Sequence, residues 1–186
     1  MELSDIDLVT LAKAAQQSAA FEALVKRHQA PLRAFLIRLT GDAAHADDLA
    51  QETFLKAFRS LDGFRGGASF RSWLFSIAMR EAAMARRKDA ARNRLAAKAV
   101  DDTDSASPAE FSIDLQRALE TLTAEERAAA LLCDAAGFSH AEAANAMAAP
   151  LGTVKTLVAR AREKLRAAMT TGRDDNENAA RDAACG

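Results

Sequence analysis

The stretch Phe138–Arg166, FSHAEAANAMAAPLGTVKTLVARAREKLR, decides how the rest of the chain is read, because two short helical patterns meet there across a break that leaves room only for a sharp turn. Ser139 is a good N-cap, and Glu142 stands three residues on, where a capping box places its carboxylate. Ala143, Ala144 and Met147 give the small apolar face that close helix crossing needs. Pro150 lacks an N–H and pushes Ala149 out of the α region, so Ala149, Pro150 and Leu151 interrupt the helix. Thr153 is placed to cap a second helix, whose apolar stripe is Val154, Val158, Ala161 and Leu165. Lys155, Thr156, Ala159, Arg160, Arg162 and Arg166 face the other way. An apolar back and a basic front suit a helix that enters the major groove of DNA, with its first turns at base edges and its cations on phosphates. An ordinary amphipathic helix with solvated charges fits the same pattern, and this stretch alone leaves the two readings even.

Upstream, Gly137 stops a helical run from Ala128 to Ala136, which opens at a second capping-box pair, Thr123 and Glu126. A further helix carries Ile113, Leu115, Leu119 and Leu122, so residues 113–170 read as a compact helix-turn-helix domain. Before it, residues 96–112 lose periodicity and gain Asp, Ser and Pro (AVDDTDSASPAE), which predicts a flexible acidic linker. After it, residues 171–186 lack an apolar stripe and are predicted to be a disordered tail.

The whole chain has 186 residues, 49% of them hydrophobic, enough to fill the cores of two small domains. Ala, Leu, Arg and Glu dominate and no alternating Val/Ile/Thr run suggests a sheet, so the fold class is all-α. The N-terminus is acidic where a secretory signal is basic, and no apolar run approaches the roughly 18 residues of a membrane span. The expectation is a cytoplasmic protein with no membrane insertion. Cys133 and Cys185 form neither a disulfide framework nor a zinc motif, and His28, His45 and His140 lack ligand spacing and suit surface or capping roles. No paired carboxylates, Ser/His/Asp set or phosphate-binding glycine loop is present, so no enzyme activity, metal or cofactor is expected.

The net charge of -1 conceals strong blocks. Residues 65–98 hold nine Lys/Arg against two Asp/Glu, residues 99–126 one against eight, and residues 127–172 six against three. Two basic blocks around an acidic one suggest two contact points on a polyanion.

Residues 1–95 read as a separate helical domain. A helix over residues 4–18 turns Leu8, Leu11, Ala12 and Ala15 inward, and a longer one from Ala20 to Leu39 meets a kink or short break at Pro31. The next opens at His45, with Ala50, Phe54, Ala57, Phe58 and Leu61 as its buried stripe. Asp48, Gln51 and Glu52 fall outside that stripe as one i, i+3, i+4 cluster, able to accept hydrogen bonds from a partner's arginines; acidic residues near a helix start also answer the macrodipole. Then comes Leu61–Lys88, LDGFRGGASFRSWLFSIAMREAAMARRK, where Phe64, Phe70, Trp73 and Phe75 are interleaved with Arg65, Arg71 and Arg80 around Gly66-Gly67. Such a mixture serves single-stranded nucleic acid, bases on rings and guanidinium groups on phosphates. Trp73 reads as core, whereas Arg71, Arg80, Arg86, Arg87 and Lys88 read as polyanion contacts.

From Phe21 to Met169 the chain resembles the extracytoplasmic-function (ECF) group of sigma factors in the sigma-70 family. The residues that carry the resemblance are FEALVKRH, LTGD, DDLAQETFLKAF and FRSWLFSIA in the first half, and ALETLTAEER, GFSHAEAA and GTVKTLVARAREKLR in the second. The resemblance implies that the first domain docks on the clamp-helix coiled coil of core RNA polymerase through Asp48, Gln51 and Glu52. It implies that Arg65, Ser69, Arg71, Arg80, Arg86, Arg87 and Lys88 hold the melted minus-ten element, and that Ser139, Thr153, Lys155, Thr156, Arg160 and Arg162 contact the minus-thirty-five duplex. It also implies control by an anti-sigma factor. Met79, Arg80 and Met84 depart from the family pattern after Ile-Ala, Thr123 stands where Pro is usual, and Leu157 where Arg is common. A polymerase-independent helix-turn-helix regulator would need neither the Asp48 cluster nor the aromatic basic loop; a decoy that sequesters an anti-sigma factor is the other alternative.

Overall fold

The computed structural model describes residues 3–15, 18–96 and 113–184, and every regular element among them is helical. Helix α1 (Asp5–Ala15) is opened by Ser4, whose hydroxyl accepts the Asp7 N–H at 3.2 Å while Asp7 Oδ2 accepts the Ser4 N–H at 3.0 Å. Asp5 ties it to α2 (Ser18–Thr40) by taking Arg27 Nη1 at 2.7 Å and His28 Nε2 at 2.8 Å. His28 is therefore a buried residue rather than a surface one. Leu8, Val9 and Ala12 face α2, and Leu11, expected inside, is exposed because it lies about 100° off the centre of that face.

The break expected at Pro31 does not occur, and α2 runs through it as one helix. Pro31 is exposed, so the lost N–H and the crowding of the Arg27 carbonyl fall on the solvent side. On the other side Leu24, Leu32, Phe35 and Leu36 are fully buried. Gly41, at φ 77°, turns the chain into α3 (Ala43–Arg59), which Asp42 caps by accepting the His45 N–H at 3.1 Å. The buried stripe of α3 is Ala46, Leu49, Thr53 and Ala57, about one residue out of phase with the expected one. Ala50 and Phe54 are half-buried and Phe58 is exposed. Thr53 tolerates the core because its hydroxyl donates to the Leu49 carbonyl at 2.7 Å.

A 3₁₀ turn over Leu61–Gly63 leads to α4 (Phe70–Ala96), capped by Ser69, whose hydroxyl accepts the Ser72 N–H at 3.1 Å. Phe70, Leu74, Phe75, Ile77 and Ala78 of α4 complete the core of the first unit. Apart from Ala96, which ends α4, the expected linker lies outside the described residues.

The second unit comprises α5 (Ile113–Glu120), α6 (Ala124–Ala130), a π-helical turn (Leu131–Ala135), α7 (His140–Met147) and α8 (Leu151–Ala184). Both expected capping boxes are present, Thr123 with Glu126 and Ser139 with Glu142. Thr153 does not cap α8: the Val154 N–H already bonds the Pro150 carbonyl at 3.1 Å, so the helix starts at Leu151 and Thr153 sits in its first turn. Helical backbone continues to Ala184, where the sequence predicted a disordered tail from residue 171. Buried residues form one contiguous cluster through both units, with α7 laid on α4 and the π turn against α2.

Candidate nucleic-acid interface

On the solvent side of α3, Asp48 and Gln51 are exposed, and Glu52 bridges to Lys56 at 3.5 Å. Lys56 also reaches Glu81 of α4 at 2.5 Å, and that carboxylate is the main reason its ammonium pKa is raised. Leu55, 42% exposed, adds an apolar spot beside the three polar residues. Leu55 falls outside the stripe the sequence predicted to be buried, and no periodicity marks it as a contact.

The first basic block is divided by its geometry. Arg65 is exposed in the loop that Gly66 turns at φ 73°, and Ser69 spends its hydroxyl on the α4 cap. Arg80 folds back on its own helix, Nε to the Ser76 carbonyl at 3.0 Å and Nη2 to the Ser76 hydroxyl at 3.2 Å. Arg87 and Lys88 are exposed further along α4, and Arg87, seven residues on, shares the Arg80 face. Trp73 is packed inward against Phe64 and Phe70, ring centroids 5.3 and 5.7 Å away, as its core reading predicted.

Arg71 and Arg86 instead face the second unit. Arg71 Nη2 donates to the Ala136 carbonyl, at the C-terminal end of the π turn, and its guanidinium lies 4.3 Å from the centre of the Phe138 ring. Phe138 is buried, 4.9 Å from Phe75 of α4. It is delivered there by Gly137 (φ 71°), which lets the Phe138 N–H return to the Leu132 carbonyl at 2.9 Å in a Schellman-type ending. Arg127 adds a second crossing, Nη1 to the Leu39 carbonyl at 3.4 Å. A charged hydrogen bond contributes on the order of 1.5–3 kcal/mol, a desolvated cation–π contact about 2 and an aromatic pair about 0.5–1.5, together well above the ~0–1 kcal/mol of an exposed ion pair. Beside this junction lies a cavity of about 510 Å³ whose walls include Met79, Ala83, Arg86, Glu125, Arg127 and Met147. Burial there lowers the Arg127 pKa against the pull of Glu120, and nearby Arg86 lowers it further.

On α8, Thr153, Lys155, Thr156 and Arg160 are exposed together. Arg162 is exposed too, but it grips Asp134 with both Nε (3.1 Å) and Nη2 (2.5 Å), which holds its guanidinium pKa up. Ser139 points its hydroxyl into the α7 capping box rather than outward. Leu157, in place of a common Arg, is half-buried against the core, so the departure widens the apolar back of α8. Behind α8, Lys164 donates to Glu126 at 2.7 Å, and that bond, with the Thr123 N–H, keeps the Glu126 carboxyl below its ordinary value.

Two family models match, Sigma-70 region 2 over residues 24–92 and Sigma-70 region 4 over residues 112–165. An ECF RNA polymerase sigma factor, EcfG of Rhodopseudomonas palustris, is 38% identical over 73% of this chain and 77% of its own length. The chain belongs to the ECF group of the sigma-70 family. The ECF sigma-E factor of Salmonella typhimurium is 32% identical over 88% of this sigma factor and 93% of its own length. Among solved structures, the sigma factor RpoE in complex with the anti-sigma factor NepR, from Bartonella quintana, matches with a TM-score of 0.71 and 31% identity over 81% of this sigma factor and 96% of that chain. CnrH in complex with the cytosolic domain of CnrY matches at 0.68 and 27%, over 90% and 97%. The region 2 match contains α3 and residues 65–92 of the first basic block, and the region 4 match contains Thr153, Lys155, Thr156, Arg160 and Arg162 of α8. No described helix is long and apolar enough to cross a membrane.

Proposed function

We propose that this sigma factor works in the cytoplasm through three separate surfaces. Asp48, Gln51 and Glu52 on α3 dock on the clamp-helix coiled coil of core RNA polymerase, with Leu55 filling an apolar contact between them. Arg65, Ser69, Arg71, Arg80, Arg86, Arg87 and Lys88 hold the melted strand of the minus-ten element, and Ser139, Thr153, Lys155, Thr156, Arg160 and Arg162 meet the minus-thirty-five duplex. The observation that carries this reading is the pairing, in one chain, of an exposed acidic patch within the region 2 match and an exposed basic helix face within the region 4 match. Acidic residues suit a protein partner's arginines and repel DNA, whereas Lys155 and Arg160 suit phosphate. Control by an anti-sigma factor is part of the proposal, supported by the two similar sigma factors solved with such partners.

Run-off transcription with core polymerase on a promoter library tests it. Promoter-dependent transcripts are expected only when the sigma factor is added; none, together with no core binding, rejects the proposal. The double change Asp48→Arg, Glu52→Arg is expected to weaken core binding by about a thousandfold or more, since two like-charge juxtapositions each cost several kcal/mol at a docked surface. Equal core affinity in the variant moves the polymerase contact off α3.

A further inference from the structure

We infer that Arg71 and Phe138 form an intramolecular latch, which closes the second unit onto the first and withholds Arg71 from nucleic acid until the latch opens. The inference rests on the proposed strand-holding role of Arg71 for its consequence, and on the contacts themselves for its existence.

Three observations converge on it. Arg71 stands in the basic block, yet its guanidinium is spent on the second unit: it caps the π turn at the Ala136 carbonyl and lies over the Phe138 ring. Phe138 is the residue just before the α7 cap, and it buries its ring against Phe75 of the first unit. Glu142, in the first turn of α7, has its carboxyl pKa lowered chiefly by the hydrogen bonds from Ser139 and to a smaller degree by Arg71, so a carboxylate stands near the cation in the closed form. The Nη2 bond to the Ala136 carbonyl and the Phe138 ring against the guanidinium hold Arg71 on the second unit, so that donor and that face are closed to a base or a phosphate although other N–H donors remain. Full engagement of a strand by Arg71 therefore competes with the latch. Nucleic acid that needs Arg71 binds only the open fraction, and its apparent affinity falls by that fraction. Lys155 and Arg160 lie outside the latch, so duplex binding by α8 is not subject to the same competition.

The test uses the full chain with Cys133→Ala and Cys185→Ser, carrying spin labels on Gln29→Cys and Glu163→Cys. The latch predicts a single narrow distance distribution for the otherwise unchanged protein. Phe138→Leu, which keeps an apolar side chain for folding, and Arg71→Gln each broaden it and shift it to longer distance, while Arg65→Gln, an exposed charge removal, does not. A short single-stranded DNA oligonucleotide of mixed sequence should bind several-fold more tightly to Phe138→Leu than to the parent, and no more tightly to Arg71→Gln. A distribution that is already broad in the parent, or one left narrow by both latch variants, overturns the latch. Broadening without any gain in oligonucleotide affinity overturns the competition. Either failure is distinct from failure of the sigma-factor proposal, which run-off transcription reports by itself.

Discussion

The two basic surfaces of this sigma factor differ in what they touch. The face of α8 presents Lys155, Thr156 and Arg160 to solvent and is backed by Val154, Val158 and Ala161, all fully buried. The surface around α4 is split, with Arg65, Arg87 and Lys88 outward and Arg71 engaged across the junction between the units. Similar residue types thus yield one surface that is ready for a polyanion and one that is partly committed to the protein itself. Charge counted along the sequence reports the supply of cations, and only tertiary packing decides which are available.

The comparison breaks most readily on α8. Replacing Lys155 and Arg160 with Ala should reduce affinity for upstream duplex DNA by on the order of tenfold and make the slope of log K against log salt shallower by about 1.8, two phosphate contacts' worth of counterion release. Fluorescence anisotropy across a salt series checks this, and an unchanged slope removes that face from the DNA. The same series on Phe138→Leu sharpens the contrast, because its duplex slope should match the parent's. A smaller effect concerns the turn that aims α8. Ala148 ends α7 at φ 50°, a left-handed conformation that costs a residue with a Cβ about 1 kcal/mol. Ala148→Gly should therefore raise thermal stability by about that amount, and a lower melting temperature contradicts the assignment of strain there.

The smallest effect lies beneath the surface around α4, where the His28 ring packs 5.4 Å from that of Phe70. Burial lowers the His28 pKa below its ordinary 6.5, and the Asp5 contact only partly offsets it. The unfolded chain then binds the proton more readily, so this contribution is present above pH 6.5 and is lost as pH falls through the folded-state value. Denaturant titrations between pH 7.5 and about pH 5.5 should show a shallow loss of stability, and His28→Gln should remove that component of the slope; an unaltered slope assigns it to other groups.

What was legible in the sequence was local. Ser139 with Glu142 and Thr123 with Glu126 are i, i+3 devices, and both formed as their spacing predicted. Gly137 and Gly41 likewise mark turns at positive φ. The phase of α3 is hidden in the sequence because Phe54 and Phe58 outweigh Thr53 on any hydrophobic count, whereas packing at 3.6 residues per turn selects Leu49, Thr53 and Ala57. Thr153 is not the cap because the Pro150 carbonyl already accepts the Val154 N–H, which puts the start of the helix two residues before Thr153. The role of Arg71 was out of reach, since its acceptor stands 65 positions away and no periodicity connects the two.

Glu126 joins two tasks that are usually separate. One of its oxygens accepts the Thr123 N–H that starts α6 and also the Lys164 ammonium of α8, 38 positions along the chain. The bearing of α8 is thereby referenced to the start of another helix, like a sight fixed to its mount. With α8 on promoter DNA as proposed, a change at Glu126 is expected to degrade aim: cognate and non-cognate promoters lose distinction before either loses affinity.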